Sequence, residues 1–116
     1  MTARPVVPRQ PARRDIEAAS DYYADLAGED VALGFIDALE SAYRLIATRP
    51  ATGSPLYGHE LGLPGLRHRR LKRYPYLVFY VDRDDHVDVW RMLHAQRDIP
   101  ARMQRVQARG NARDDV

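Results

Sequence analysis

Trp90-Arg91-Met92-Leu93-His94-Ala95-Gln96-Arg97-Asp98-Ile99-Pro100 closes an alternating stretch with Arg, His, Arg and Asp in quick succession. A strand end of this kind can present charged groups to a ligand while its alternate side chains stay fixed in a core. Val87, Val89 and Leu93 read as one face of the strand, and Arg91 interrupts them, with His94 on the opposite face. A charge on an apolar face must find a partner or reach an opening. Asp15 or Asp21 of an upstream helix would serve as the partner. Two roles stand for His94: a general acid near neutral pH, or a structural histidine bonded to a backbone carbonyl. Asp98 suits the N-cap of a final helix, worth about 1 kcal/mol. Pro100 fits the first turn of that helix, which runs to about Ala108 with Met103 and Val106 as its apolar contacts.

Working back from this stretch, His86 to His94 follows Tyr76 to Val81 across the polar turn Asp82-Arg83-Asp84-Asp85, the pattern of an antiparallel hairpin. Leu77, Phe79 and Val81 share one face of the earlier strand. Leu66 to Arg73 is a third strand candidate. Residues 50 to 65 are punctuated by Pro50, Gly53, Pro55, Gly58, Gly62, Pro64 and Gly65, and read as a loop. Before them lie two amphipathic helices. The first spans about 11 to 27 with Ile16, Ala19, Tyr23 and Leu26 at helical spacing, Asp15 and Glu17 near its positive end, and Gly28 as its stop. The second spans about 29 to 48 with Val31, Phe35, Ala38, Leu39, Ala42, Leu45 and Ile46 on one stripe. So short a link makes them an antiparallel hairpin. Residues 3 to 8 are extended in character, but Pro5 and Pro8 confine them to a sheet edge or a loose arm.

The expected fold is therefore α+β: an N-terminal helix hairpin packed on one face of a small antiparallel sheet, followed by a short C-terminal helix. Its core is expected to hold Ile16, Tyr23, Phe35, Leu39, Leu45, Phe79 and Val89. One domain over residues 1 to 109 and a disordered tail over 110 to 116 accommodate the 116 residues.

Composition narrows the function classes. There is no cysteine, so neither a disulfide framework nor a thiolate metal site can form. His59, His68, His86 and His94 lack the spacing of a zinc site, and no glycine-rich phosphate loop or nucleophile elbow occurs. No metal or cofactor is expected. The apolar runs fall far short of the roughly 20 residues that span a bilayer, which makes a soluble cytoplasmic protein the default. The net charge of +2 hides a strong polarity. Eight acidic residues and no basic one lie between Asp15 and Glu40, whereas Arg67, Arg69, Arg70, Lys72 and Arg73 fall within seven positions. This basic strand can meet phosphates, or its charges can simply protect an exposed sheet edge.

Several segments in order carry a family resemblance over roughly residues 12 to 100. Ala12-Arg13-Arg14-Asp15-Ile16 with Asp21-Tyr22-Tyr23, then Ala32, Phe35, Ile36 and Leu39 through Leu45, Arg49-Pro50 and Gly53, resemble the two helices of ParE-like toxins. Gly65-Leu66-Arg67, the run Tyr74-Pro75-Tyr76-Leu77-Val78-Phe79-Tyr80, and Arg91 with His94, Arg97 and Asp98 resemble the strands and closing motif of the same RelE/ParE superfamily. The resemblance implies a growth-inhibiting toxin of a type II toxin-antitoxin system, neutralised by a cognate antitoxin similar to ParD. That antitoxin, not the toxin, would touch operator DNA. ParE members poison DNA gyrase, whereas RelE-like relatives cut mRNA at the ribosome. On the gyrase reading the chain is not an enzyme, and Arg69, Arg91, His94 and Arg97 are candidates for target binding. On the endoribonuclease alternative, Arg67, Arg73, Arg91 and His94 would be catalytic. Arg67, Arg70, Lys72 and Trp90 are candidates for antitoxin binding. A relative without toxicity, kept to bind its antitoxin, is the third reading.

Overall fold

The computed structural model describes residues 3–97, 99, 100, 102 and 103. Its elements follow the order β1 (Val6–Pro8), α1 (Gln10–Ala27), α2 (Glu29–Thr48), a 3-10 turn (Pro50–Thr52), α3 (Leu56–Leu61), β2 (Leu66–Arg70), β3 (Tyr76–Asp82) and β4 (Val87–His94). Both long helices lie where their periodicity places them. Gly28 ends α1 and starts α2 with φ +96°, a left-handed value that favours glycine, so the hairpin turns on a single residue. The expected loop over 50 to 65 is more regular than its glycines and prolines suggest. Pro50 opens the 3-10 turn, and α3 fits between Pro55 and Gly62. Ile99, Pro100, Arg102 and Met103 are helical, whereas the expected cap Asp98, the contact Val106 and the tail 110 to 116 lie outside the described residues.

The four strands form one sheet in the order β1-β4-β3-β2. The β2–β3 and β3–β4 pairs are antiparallel, as the alternation and the 82–85 turn imply. Residues 3 to 8 take the edge position rather than a loose arm: β1 pairs with β4 in parallel, Val6 opposite Val87, which makes the sheet mixed. Pro8 has no N–H to offer on that open edge.

Each face of the sheet carries its own apolar layer. On the helix face, Phe35, Leu39 and Ile46 meet Val78, Tyr80, Val87, Val89 and Met92, with Ile16 and Tyr23 packed at the margin. On the other face, Leu63, Leu66, Leu77, Phe79, Val81, Leu93, Ile99 and Met103 pack together. Phe79 thus belongs to the second layer, away from the helices with which its apolar character grouped it. A strand covered on both sides is apolar at nearly every position, and alternation then cannot say which residue faces which layer. Leu45 also departs from expectation: it is half-buried on the flank of α2 rather than in the core.

The register slips by one residue in β4, where Phe79 pairs with Arg91 but Tyr80 pairs with Val89, leaving Trp90 as a β-bulge. Beyond a bulge the two faces exchange parity. Val89 and Leu93, expected on one face, therefore lie in opposite layers, and Met92 takes the helix side.

Candidate functional site

The bulge also decides the site. Arg91 and His94, expected on opposite faces, line one cleft between α1 and the ends of β3 and β4, together with Asp15, Tyr22, Tyr76 and Arg97. Its volume is about 560 Å³, within the usual range of ligand pockets.

Asp15 lies in the second turn of α1 rather than the first, so it serves the strand instead of the helix dipole. Its carboxylate accepts from Arg91 Nε at 2.6 Å and Nη2 at 2.8 Å, and Oδ2 also accepts the backbone N–H of Met92 at 3.1 Å. Both side chains of this pair are about 15% exposed, so its partnered geometry is the one compatible with their burial. The carboxylate thus holds the bulged strand against α1. Asp21, the other partner considered, is exposed.

His94 accepts the Gln96 backbone N–H at Nδ1, 3.1 Å away. In the neutral ring the proton then sits on Nε2, leaving a donor on the side away from the turn. Its ring meets Tyr76 edge-on at 5.3 Å, and Tyr76 belongs to a cluster with Tyr23, Tyr74 and Phe35. Arg97 and Arg102 add positive charge to the cleft, while Tyr22 and Leu26 on α1 are more than half exposed beside it. Sequence reasoning missed these two and Arg102; Tyr22 and Leu26, four apart, carried the only signal.

The basic strand is β2, the edge opposite β1. Its outer side is partly closed, because Ser54 exchanges backbone hydrogen bonds with His68. Arg67 donates to the Gly53 carbonyl and Arg69 to the Thr52 hydroxyl, so both brace the 50–55 segment. Arg70, Lys72 and Arg73 are exposed, the last in the β2–β3 turn with φ +68°. The strand's cations thus divide between bracing and display. Tyr80 completes the brace from beneath, its hydroxyl donating to the Pro50 carbonyl at 2.6 Å and accepting from Gly53 N–H. A Cβ at position 53 would collide with that hydroxyl, which explains the glycine.

Trp90, the bulged residue, is half-buried on the second face. Its indole N–H donates to Asp88 at 3.0 Å, and the Arg9 guanidinium stacks 4.6 Å from the ring centre. Asp88 is buried and also accepts from Arg9 and Arg83. Burial alone would raise its pKa, but the bonds from Arg9, Trp90 and Arg83 hold the carboxyl below its ordinary value. This hub ties β1 to the β3–β4 turn. Among the described residues, no three His, Asp or Glu side chains gather in a way that would hold a metal, and no helix is long and apolar enough to cross a membrane.

Comparison with known proteins places this architecture. No curated protein matches the chain. Among solved structures, one described as the chromosomal ParDE TA system from P. aeruginosa is similar, with a TM-score of 0.67 over 81% of this chain and 98% of that one, at 19% identity. That likeness concerns the fold. The family model for the ParE toxin of the type II toxin-antitoxin system parDE matches residues 6–99, which contain both helices, all but the last described helical residues, and the whole cleft except Arg102. The chain belongs to the ParE toxin family of type II toxin-antitoxin systems.

Proposed function

We propose that this toxin arrests growth by binding DNA gyrase and trapping it on cleaved DNA, with the cleft of Arg91, His94 and Arg97 as the contact surface and Arg69 as an outlying contact. The observation that carries the reading is the state of Asp15. It is the carboxylate lining the cleft, and its oxygens are committed to Arg91 and the Met92 N–H. A ribonuclease needs a group free to take a proton from the attacking hydroxyl. Here the cleft offers donors, cations and exposed aromatic surface, the composition of a protein-binding patch.

Neutralisation by a cognate antitoxin accompanies this reading. Arg70 and Lys72 are free to meet an acidic segment of that partner, while Arg67 and Trp90 would contribute from their half-buried positions. Operator DNA is reached only through the antitoxin, and the site of action is the cytoplasm.

Purified toxin with gyrase, ATP and plasmid should accumulate cleaved DNA, and its induction should leave translated mRNA intact. His94→Ala should lower toxicity only as far as it weakens gyrase binding or lowers stability, because no proton transfer by His94 is required. Ribosome-dependent mRNA cleavage that His94→Ala abolishes in a normally folded protein would replace the gyrase reading with the ribonuclease one. The cations of β2 favour that second reading, since they can track a phosphate backbone.

A further inference from the structure

Two helices cover a four-stranded sheet, and they leave the flank of α2 above β2 open. A shallow groove of about 270 Å³ runs there along α2 from Ala38 to Thr48, about 15 Å, with Arg44 on its helix side and Arg69, Arg70 and Lys72 on its strand side. Charge on this part of the molecule has one sign. From Ser41 to Val81 the chain carries seven Lys and Arg residues against a single carboxylate, Glu60, which lies on α3 and does not line the groove. Arg44, Arg70 and Lys72 are exposed, as is Arg73 in the adjoining turn, and among the described residues none of the four is in an ion pair. Arg69 stands behind them, its Nη2 tied to the Thr52 hydroxyl at 2.8 Å and its buried Nε without a hydrogen-bond partner. Like charges gathered in this way repel one another, so an anion laid across them relieves the array.

We propose that these cations bind the phosphate backbone of duplex DNA, with Arg44, Arg70, Lys72 and Arg73 as the contacts and with no reading of base sequence. The length of the groove matches the rise of about four nucleotides along one strand of a duplex. Three of the four contacts are arginines, whose planar fork takes two phosphate oxygens at once. Among the described residues no aromatic side chain lines the groove. Proteins that hold single strands add stacking platforms to their charge, and protein interfaces bury aromatic anchors. Cations without aromatics are what a duplex backbone accepts. The cleft and this cation track are separate surfaces, so one toxin can hold gyrase with the first and the DNA on that enzyme with the second. The contact rests on the gyrase reading only for where its DNA comes from. Blind to sequence, it leaves the choice of operator to the antitoxin, and Arg70 and Lys72 serve that partner in the neutralised complex and DNA in the free toxin.

The probe is a fluorescein-labelled 20-bp duplex, titrated with the full chain by fluorescence anisotropy between 50 and 200 mM salt. Four phosphate contacts make log K fall with log salt at a slope of about −3.6. Arg70→Glu with Lys72→Glu should weaken binding at least tenfold at the lowest salt and bring the slope to about −1.8, and Arg44→Ala alone should bring it to about −2.7. Arg13→Glu with Arg14→Glu changes the net charge as much as the first pair, but at exposed positions of α1, and should keep the parent slope. Unfolding midpoints equal to that of the parent certify the fold of each variant. No binding at 50 mM salt, equal effects of the two double variants, or tighter binding of a single-stranded RNA or a polyglutamate peptide of the same total charge would overturn the proposal. DNA cleavage by purified gyrase separates this contact from the reading above. Duplex binding without gyrase-dependent cleavage would sink the gyrase reading and leave the contact standing, whereas cleavage induced by a toxin that binds no duplex would sink the contact and leave the reading.

Discussion

Asp15 and Arg91, 76 positions apart in the chain, meet through two hydrogen bonds, and the same carboxylate holds the Met92 N–H. One side chain of α1 thus fixes both the orientation of the cleft arginine and the strand segment just past the bulge. Removing either partner leaves the other charge poorly solvated, a loss that can approach about 3 to 5 kcal/mol for fully buried pairs and is smaller at this partial exposure. Arg91→Ala and Asp15→Ala should each destabilise more than the double variant does relative to either single one. Strictly additive losses in denaturant unfolding would show that the pair is not coupled.

Phe35 is fully buried, with Tyr23, Tyr74 and Tyr76 around its ring. Truncation to Ala removes those contacts and leaves a cavity, so Phe35→Ala should cost about 3 to 5 kcal/mol in denaturant unfolding. A loss below about 1 kcal/mol would mean that the helix layer repacks without it.

Two tyrosines with buried hydroxyls should respond in opposite ways to losing them. The Tyr80 hydroxyl has two backbone partners, whereas the Tyr43 hydroxyl has none among the described residues, and burial pushes its pKa up to about 12. Tyr80→Phe should cost about 1 to 3 kcal/mol because it strands the Pro50 carbonyl and the Gly53 N–H, and Tyr43→Phe should be neutral or stabilising. Equal losses in thermal unfolding would contradict this assignment.

His68 lies between the rings of Tyr57 and Phe79, with Nδ1 buried and unpartnered. Burial lowers its pKa below the ordinary 6.5, because the protonated ring is the form disfavoured there. Its contribution to stability is therefore complete above pH 6.5 and is lost as pH falls through the lowered value. His68→Phe should flatten the stability profile between neutral pH and pH 5 relative to the parent. An unchanged slope would assign the acid sensitivity to other groups.

The helices were legible because Ile16, Tyr23, Phe35 and Leu39 repeat at 3.6-residue spacing over long stretches. Arg91 was legible for a different reason: a charge amid apolar neighbours demands a partner, and Asp15 supplies it. The bulge at Trp90 was not, since an extra residue leaves the local pattern apolar and polar by turns and shows only in the pairing with β3. The faces beyond it were consequently assigned in reverse, and His94 was separated from Arg91. Val6–Pro8 gave too short a segment, with too many prolines, to reveal a parallel partner about 80 residues away. The open groove beside α2 depends on how far two helices reach across four strands, a tertiary fact that Leu45 alone could not announce.

The pairing of Val6 with Val87 sets the order in which this molecule can come into being. The β3–β4 hairpin closes a short turn, but joining β1 to β4 closes a loop of about 80 residues, at an entropic cost of about 4 kcal/mol beyond a constant. Until β4 has left the ribosome, β1 has no strand beside it, Asp15 has no arginine, and the cleft lacks the wall that carries Arg91 and His94. A nascent chain therefore stays harmless through most of its own synthesis, and its neutralising partner has the time of those first eighty-odd residues to be present before there is anything to neutralise.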